Sequence, residues 1–301
     1  DPNREMDRRR HLATGRGDGV MGKKWNLIVD VERCDNCRGC FIAVKDEHAG
    51  NDFPGYAAPQ PAQGHNWLEI RRKERGTYPL VEASFQPVMC NHCDDAPCMK
   101  AARDGAVRKR DDGIVIIDPV KAKGQKQIVE ACPYGAVWWN EDRQLPQHWI
   151  FDAHLLDAGW TKTRAEQACP TGVFRSVKVE DAEMQRIVAD EALQVDRPEL
   201  GTRPRVYYKN LHRMTDCLVG GTVVHHVDGI EECAPGAAVV LRQNGKELGR
   251  TTTDTFGEFK FDRLPAGSGG YDIEVTGFNA RAATTFELGE DSRYLGVITL
   301  T

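Results

Sequence analysis

The sequence predicts an α+β fold in two parts, a cysteine-bearing domain made of two nested units and a C-terminal all-β sandwich of about seven short strands. Eight of the ten cysteines fall between Cys34 and Cys169, as two triplets and two Cys-Pro singletons. From about residue 215 the pattern changes to short alternating runs separated by turn residues. A chain of 301 residues is long enough for two domains that each bury a core.

The net charge of -5 gives no case for nucleic acid. Charged residues make up 28% and the apolar set 40%, and no run of about 18 apolar residues occurs, so no membrane span is expected. Residues 1–23 read as an N-terminal extension or an expression remnant. Arg8-Arg9-Arg10 hints at a twin-arginine signal, but HLATGRGDG supplies no apolar segment, so a cytoplasmic location is expected. Without a secretion signal, unevenly clustered cysteines favour metal over disulfides.

Cys34, Cys37 and Cys40 form C-x2-C-x2-C in CDNCRGC, and the place of a fourth cysteine is taken by Val44. Cys90, Cys93 and Cys98 form a second triplet in CNHCDDAPC, whose fourth place is Ala102. In two-cluster ferredoxins the last cysteine of such a run binds the other cluster, so each triplet borrows its fourth ligand from elsewhere. Cys132 in EACPYGA and Cys169 in QACPTGV stand in the Cys-Pro-x-Gly setting that ends such runs. Two triplets and two singletons make two sets of four, each suited to one 4Fe-4S cluster. If one ferredoxin-like unit is inserted in the other, the outer motifs pair as Cys34, Cys37, Cys40 and Cys169. The inner motifs then pair as Cys90, Cys93, Cys98 and Cys132.

The same counting exposes two sites without ligands. One falls at Ala122, Gln125 and Ile128 with Ala102, and is expected to be filled by side chains. The other falls at Val44, Trp149, Asp152 and Ala165, where only Asp152 is chemically able to bind iron, so no third cluster is expected. Structural zinc would pair cysteine doublets rather than triplets with remote singletons. Cys217 and Cys233 read as buried small hydrophobes. His92, inside the second motif, reads as a hydrogen-bonding neighbour of the cluster, and His154 as structural.

The iron-sulfur domain spans residues 24–180. Within it GIVIIDP (Gly113 to Pro119) and AVWWN (Ala136 to Asn140) read as strands, and His48 to Pro79 as a long insertion that serves function or an interface. Residues 181–214 read as a helix with Met184, Ile187, Val188 and Ala192 on one face, then an extended strap on a surface, DRPELGTRPRVYYKN. In the sandwich, residues 215–301, Phe259 and Phe261 of EFKFD face one way, and Asn244-Gly245 marks a hairpin. No acid pair, nucleophile or metal cluster is legible there, so it reads as a docking or stabilising module. His225 and His226 alternate sides of a strand, which argues against a shared metal.

The stretches GHNWLEIRRKERGTYP, CNHCDDAPC, GIVIIDP, ACPYGAVWWNED, AHLLDAGW, PELGTRPRVYYKNLHR and GEFKFDRLPAG resemble the iron-sulfur subunits of the dimethyl sulfoxide reductase family of molybdenum enzymes. The resemblance covers nearly everything after Met21, and the strap and β-domain carry most of its specificity. It implies that the eight cysteines named above ligate two 4Fe-4S clusters, and that the sandwich is transthyretin-like (prealbumin-like). It implies a heterodimer with a large catalytic subunit carrying molybdenum and two molybdopterin guanine dinucleotides. It further implies hydroxylation or transhydroxylation of polyhydroxylated aromatics such as pyrogallol, phloroglucinol, resorcinol or a dihydroxybenzoate, in anaerobic aromatic degradation. Within the family a third cluster lies where this chain has Val44, Trp149, Asp152 and Ala165. The expected role is electron transfer, with no bond chemistry on this chain. A mainly structural subunit that docks the partner is the alternative, and a free-standing ferredoxin a third reading.

Overall fold

The computed structural model describes residues 22–301; residues 1–21, which carry the Arg8-Arg9-Arg10 run, lie outside the described residues. The first domain runs β1 (Lys24–Asp30), α1 (Gly39–His48), β2 (Leu68–Thr77), β3 (Leu80–Met89), α2 (Pro97–Ala101), β4 (Val107–Lys109) and β5 (Val115–Ile117). It continues through α3 (Gln127–Glu130), β6 (Trp138–Asn140), β7 (Leu145–Gln147), α4 (Ala153–Asp157), α5 (Arg164–Ala168) and β8 (Phe174–Val179). Then come α6 (Asp181–Asp190), β9 (Val206–Lys209) and α7 (His212–Thr215).

Nesting is visible in the pairing. Strand β1 lies between β8, antiparallel with Val29 opposite Phe174, and β9, parallel with Ile28 opposite Tyr207. The first and last parts of the cysteine region thus form one unit, and β4 with β5 and β6 with β7 form small hairpins between them. Because β1 is central, its near-continuous run Leu27, Ile28 and Val29 is buried on both faces.

One expectation changes here. The segment after α6 is more than a surface strap: Val206 and Tyr208 are buried and β9 completes the sheet. The physical reason is that the second edge of β1 needs a partner, and the VYYK run supplies β-branched and aromatic side chains to cover it. Within the expected insertion, residues 68–77 form β2, which pairs along its whole length with β3, from Leu68–Met89 to Thr77–Leu80.

The second domain comprises β10 (Cys217–Val227), β11 (Ile230–Cys233), β12 (Ala238–Gln243), β13 (Lys246–Thr252), β14 (Glu258–Leu264), β15 (Gly269–Gly277), β16 (Ala280–Leu288) and β17 (Arg293–Thr299). One sheet has the order β11-β10-β14 with β17 also on β10, the other β13-β12-β15-β16. Both supply one core that includes Val219, Val223, Val239, Leu241, Phe259, Phe261, Ile273, Val275 and Phe286. Strand β15 shows why: Tyr271, Ile273 and Val275 are buried while Asp272, Glu274 and Thr276 are exposed. Full burial of one such aliphatic side chain contributes about 2 kcal/mol. Asn244 and Gly245, both at positive φ, close the β12–β13 hairpin.

The strands number eight, not seven. The extra one, β11, is an edge strand of four exposed residues, IEEC, so it has no apolar face to reveal it. Cys233 on it is exposed, which corrects the buried reading; Cys217 is buried as expected.

The β2–β3 hairpin reaches the sandwich. The Arg75 side chain is fully buried and donates to Asp262 at 2.8 Å and to Glu82 at 2.8 Å. A Cβ on Gly220 would run into the Leu80 side chain and the Phe259 carbonyl, so glycine permits the close approach.

Candidate functional site

The structure brings the eight cysteines together as two groups of four. The first is assembled between the loop before α1 and the end of α5. Arg38 takes a left-handed conformation at the start of α1. A Cβ on Gly39 would lie 3.3 Å from the Ala168 carbonyl, so α1 and α5 meet closely beside Cys37 and Cys169. Burial raises the Cys34 thiol, with Cys169, Asp35 and Cys37 adding to it. Burial and the nearby Cys34, Cys169 and Cys37 push Cys40 up to about 12. The Val173 amide donates to Cys169 Sγ at 3.3 Å. Cys37 is exposed and Ile42, one turn on, is 62% exposed, so this group opens on the surface.

The second group is more enclosed. Cys90, Cys93, Cys98 and Cys132 line one cavity, whose other walls include Ala96, Pro97, Val115, Ile117, Tyr134 and Val137. Burial first, then Cys98 and Cys132, holds the Cys90 thiol well above its ordinary value. Burial with Cys132 and Cys93 pushes Cys98 up to about 12, and burial with Cys132 raises Cys93. Four converging thiols in apolar walls resist ionising together. Iron reverses that balance, because a coordinating thiol gives up its proton outright. The donor sets therefore fit iron-sulfur clusters.

Several residues that hold this loop were not singled out from sequence. Lys109 donates to the carbonyls of His92 at 2.8 Å and Cys93 at 2.9 Å. Arg205 grips Asp94 through two hydrogen bonds, 2.7 and 2.6 Å, and also reaches Asp181 and Asn26. The strap then runs along the loop: the Asp94 and Asp95 amides donate to Arg203 and Thr202 carbonyls, and Arg205 N donates to Asn91 O. Tyr134 Oη lies 2.6 Å from Thr202 Oγ1. The Asp-Asp pair after Cys93, matched by a later Pro-Arg-Val, was the available signal.

His92 is buried, and its Nδ1 accepts the Val115 amide at 3.1 Å. His148, also missed in the sequence, is buried and lines the same cavity. Burial lowers both imidazoles, His92 far below its usual value and His148 to about 3, so both are neutral.

The two ligand-poor sites are filled. Ala122, Ile128 and Val137 join Ala106, Val107, Val115 and Ile117 in a core, and Gln125 bonds to the Arg103 amide and the Lys121 carbonyl. At the other, Val44, Trp149 and Ala165 are buried. The buried Asp152 carboxylate accepts from Trp149 Nε1 at 3.2 Å and from the Arg164 amide at 2.8 Å, and lies 3.2 Å from His48 Nε2. Its oxygens are engaged by protein. His154 bonds Glu47 at 2.8 Å, a structural contact.

No helix among the described residues is long and apolar enough to cross a membrane. A family profile described as a 4Fe-4S dicluster domain matches residues 81–179. The pyrogallol hydroxytransferase small subunit of Pelobacter acidigallici is 41% identical over 281 residues, covering 92% of this chain and 100% of its own length. A tetrathionate reductase subunit of Salmonella typhimurium is 28% identical over 200 residues, 65% of this chain and 76% of that one. The arsenate respiratory reductase iron-sulfur subunit of a Shewanella strain is 34% identical over 114 residues, 38% and 44% of the two chains.

Proposed function

We propose, from the premise that this chain belongs to the family of iron-sulfur subunits represented by the pyrogallol hydroxytransferase small subunit, that it serves a molybdenum enzyme of polyhydroxylated aromatics. The supporting observation is the convergence of four thiols at each of two places in a chain that aligns with that relative over the relative's full length. Cys34, Cys37, Cys40 and Cys169 hold one 4Fe-4S cluster, and Cys90, Cys93, Cys98 and Cys132 the other. A bound cluster supplies one-electron redox chemistry. Thiolates fix it, the Val173 amide donates to the Cys169 sulfur, and apolar walls exclude water from the Cys90 site.

The partner is a large subunit with molybdenum bound by two molybdopterin guanine dinucleotides, in a cytoplasmic heterodimer. The substrate is pyrogallol, phloroglucinol, resorcinol or a dihydroxybenzoate, chosen by the partner. The C-terminal sandwich, of transthyretin-like type, docks that partner.

Anaerobic copurification followed by mixing with each aromatic tests this. The chain is expected to copurify with a large molybdenum protein, and its clusters to bleach in the visible within one turnover of a substrate that is hydroxylated. Purification without a large partner would point to a free-standing ferredoxin. Product formation with both clusters inert would assign them a mainly structural role.

A further inference from the structure

His148 stands outside every cysteine motif, yet its ring faces the cavity lined by Cys90, Cys93, Cys98 and Cys132. It is 2% exposed, and apart from the Trp149 backbone beside it neither ring nitrogen has a hydrogen-bond partner. The neighbouring ring of His92, 5.7 Å away between centroids, is fixed in its tautomer. Its Nδ1 accepts the Val115 amide, so the proton sits on Nε2, which is also buried and unpartnered. One ligand atom each from Cys90, His92 and His148 lies within 4.8 Å of the others.

A buried N–H without an acceptor is destabilising. One nitrogen of each ring lies within 4.8 Å of the Cys90 sulfur, so a sulfur held at that site is an acceptor within reach, and the His92 ring packs against that of His148. Trp149 and Phe151, at 5.6 and 5.4 Å from His92, hold that ring edge-on and keep water away.

We propose that His148 is a hydrogen-bond donor to the sulfur of the group held at the Cys90 site, oriented by His92 as a positioning residue, and that this bond raises that group's reduction potential. A donor to sulfur favours the more negative, reduced state, which is how such bonds tune clusters. The inference rests on the 4Fe-4S reading of the site and goes beyond it.

The test is redox titration followed by electron paramagnetic resonance on the anaerobic complex, with iron analysis of each variant. His148→Phe is expected to lower the midpoint of one cluster and leave the other unmoved. The reduced-to-oxidised ratio should fall about tenfold, about 59 mV for a one-electron couple. His148→Gln, which keeps an N–H, is expected to recover most of the shift, and His92→Phe to produce a smaller shift of the same sign. An unmoved potential in His148→Phe at full iron content overturns the proposal. So does loss of about four irons in both His148 variants, which makes His148 a ligand. Should the variants fail to fold, pulsed resonance on wild-type protein carrying nitrogen-15 histidine decides. Weak nitrogen coupling to one reduced cluster supports the donor, while no coupling, or the strong coupling of a bonded nitrogen, overturns it. Absence of iron from the wild-type complex would instead sink the cluster reading itself.

Discussion

The Cys90 site and the site around Asp152 stand beside one another in the core, joined by the contact of His92 with Trp149, and they are finished in opposite ways. One is a cavity lined by four thiols. The other is solid, with Trp149 in its volume and a buried carboxylate tied to the Arg164 amide, to the indole and to His48. Lost ligands alone would leave a hole, and a hole in a core costs stability in proportion to its volume. A filled and hydrogen-bonded site is therefore better evidence against a cluster than a missing cysteine is.

The comparison is broken most forcefully from the thiol side. Cys132→Ser is expected to remove about four of about eight irons per chain, read by iron and acid-labile sulfide analysis. Retention of all the iron would mean that Cys132 is no ligand. From the filled side, Asp152→Ala strands the Trp149 and Arg164 donors beside a buried imidazole. It should cost about 3 kcal/mol in denaturant unfolding, with cluster iron unchanged.

A third change asks whether the difference is confined to the cysteine domain. Arg75→Leu should loosen the hairpin from the sandwich by about 2 kcal/mol, discounted because Glu82 and Asp262 are partly exposed, and leave the iron count alone. The same clamp has an acid limit. Burial opposes the shift, but hydrogen bonds from Arg75, and from Lys260 to Glu82, hold both carboxyls below their ordinary range. Their folded values lie under their unfolded ones, so the contribution is complete above about pH 5 and is lost as pH falls through the folded values. Acid unfolding of wild type should steepen there, and Arg75→Leu should flatten it. The smallest effect is expected from Val44→Cys: a near change of volume in a filled site, shifting stability by less than about 1.5 kcal/mol and adding no iron.

The grouping of the cysteines was legible because their fixed local spacings and the two Cys-Pro-x-Gly settings survive as plain text. The sandwich was legible through its period of two, as in Phe259 and Phe261, except at β11, whose exposed acidic run gives no alternation. The burial of the strap was hidden because its prolines and glycine read as a linker, while the strand that needs Val206 and Tyr208 lies at the other end of the domain. Arg205 and His148 were hidden for the same reason: each acts on the Cys90 loop only through tertiary contact. The Asp152 network was half visible. Sequence showed that ligands were missing, but not that His48 and the Arg164 amide would meet the carboxylate.

The most direct measurement is the iron and acid-labile sulfide content of the anaerobically purified complex, attributed to this chain. About eight of each per chain is predicted, two 4Fe-4S clusters on two sets of four cysteines. About twelve would contradict the filled site around Trp149 and Asp152, and about four would contradict one of the two thiol sets.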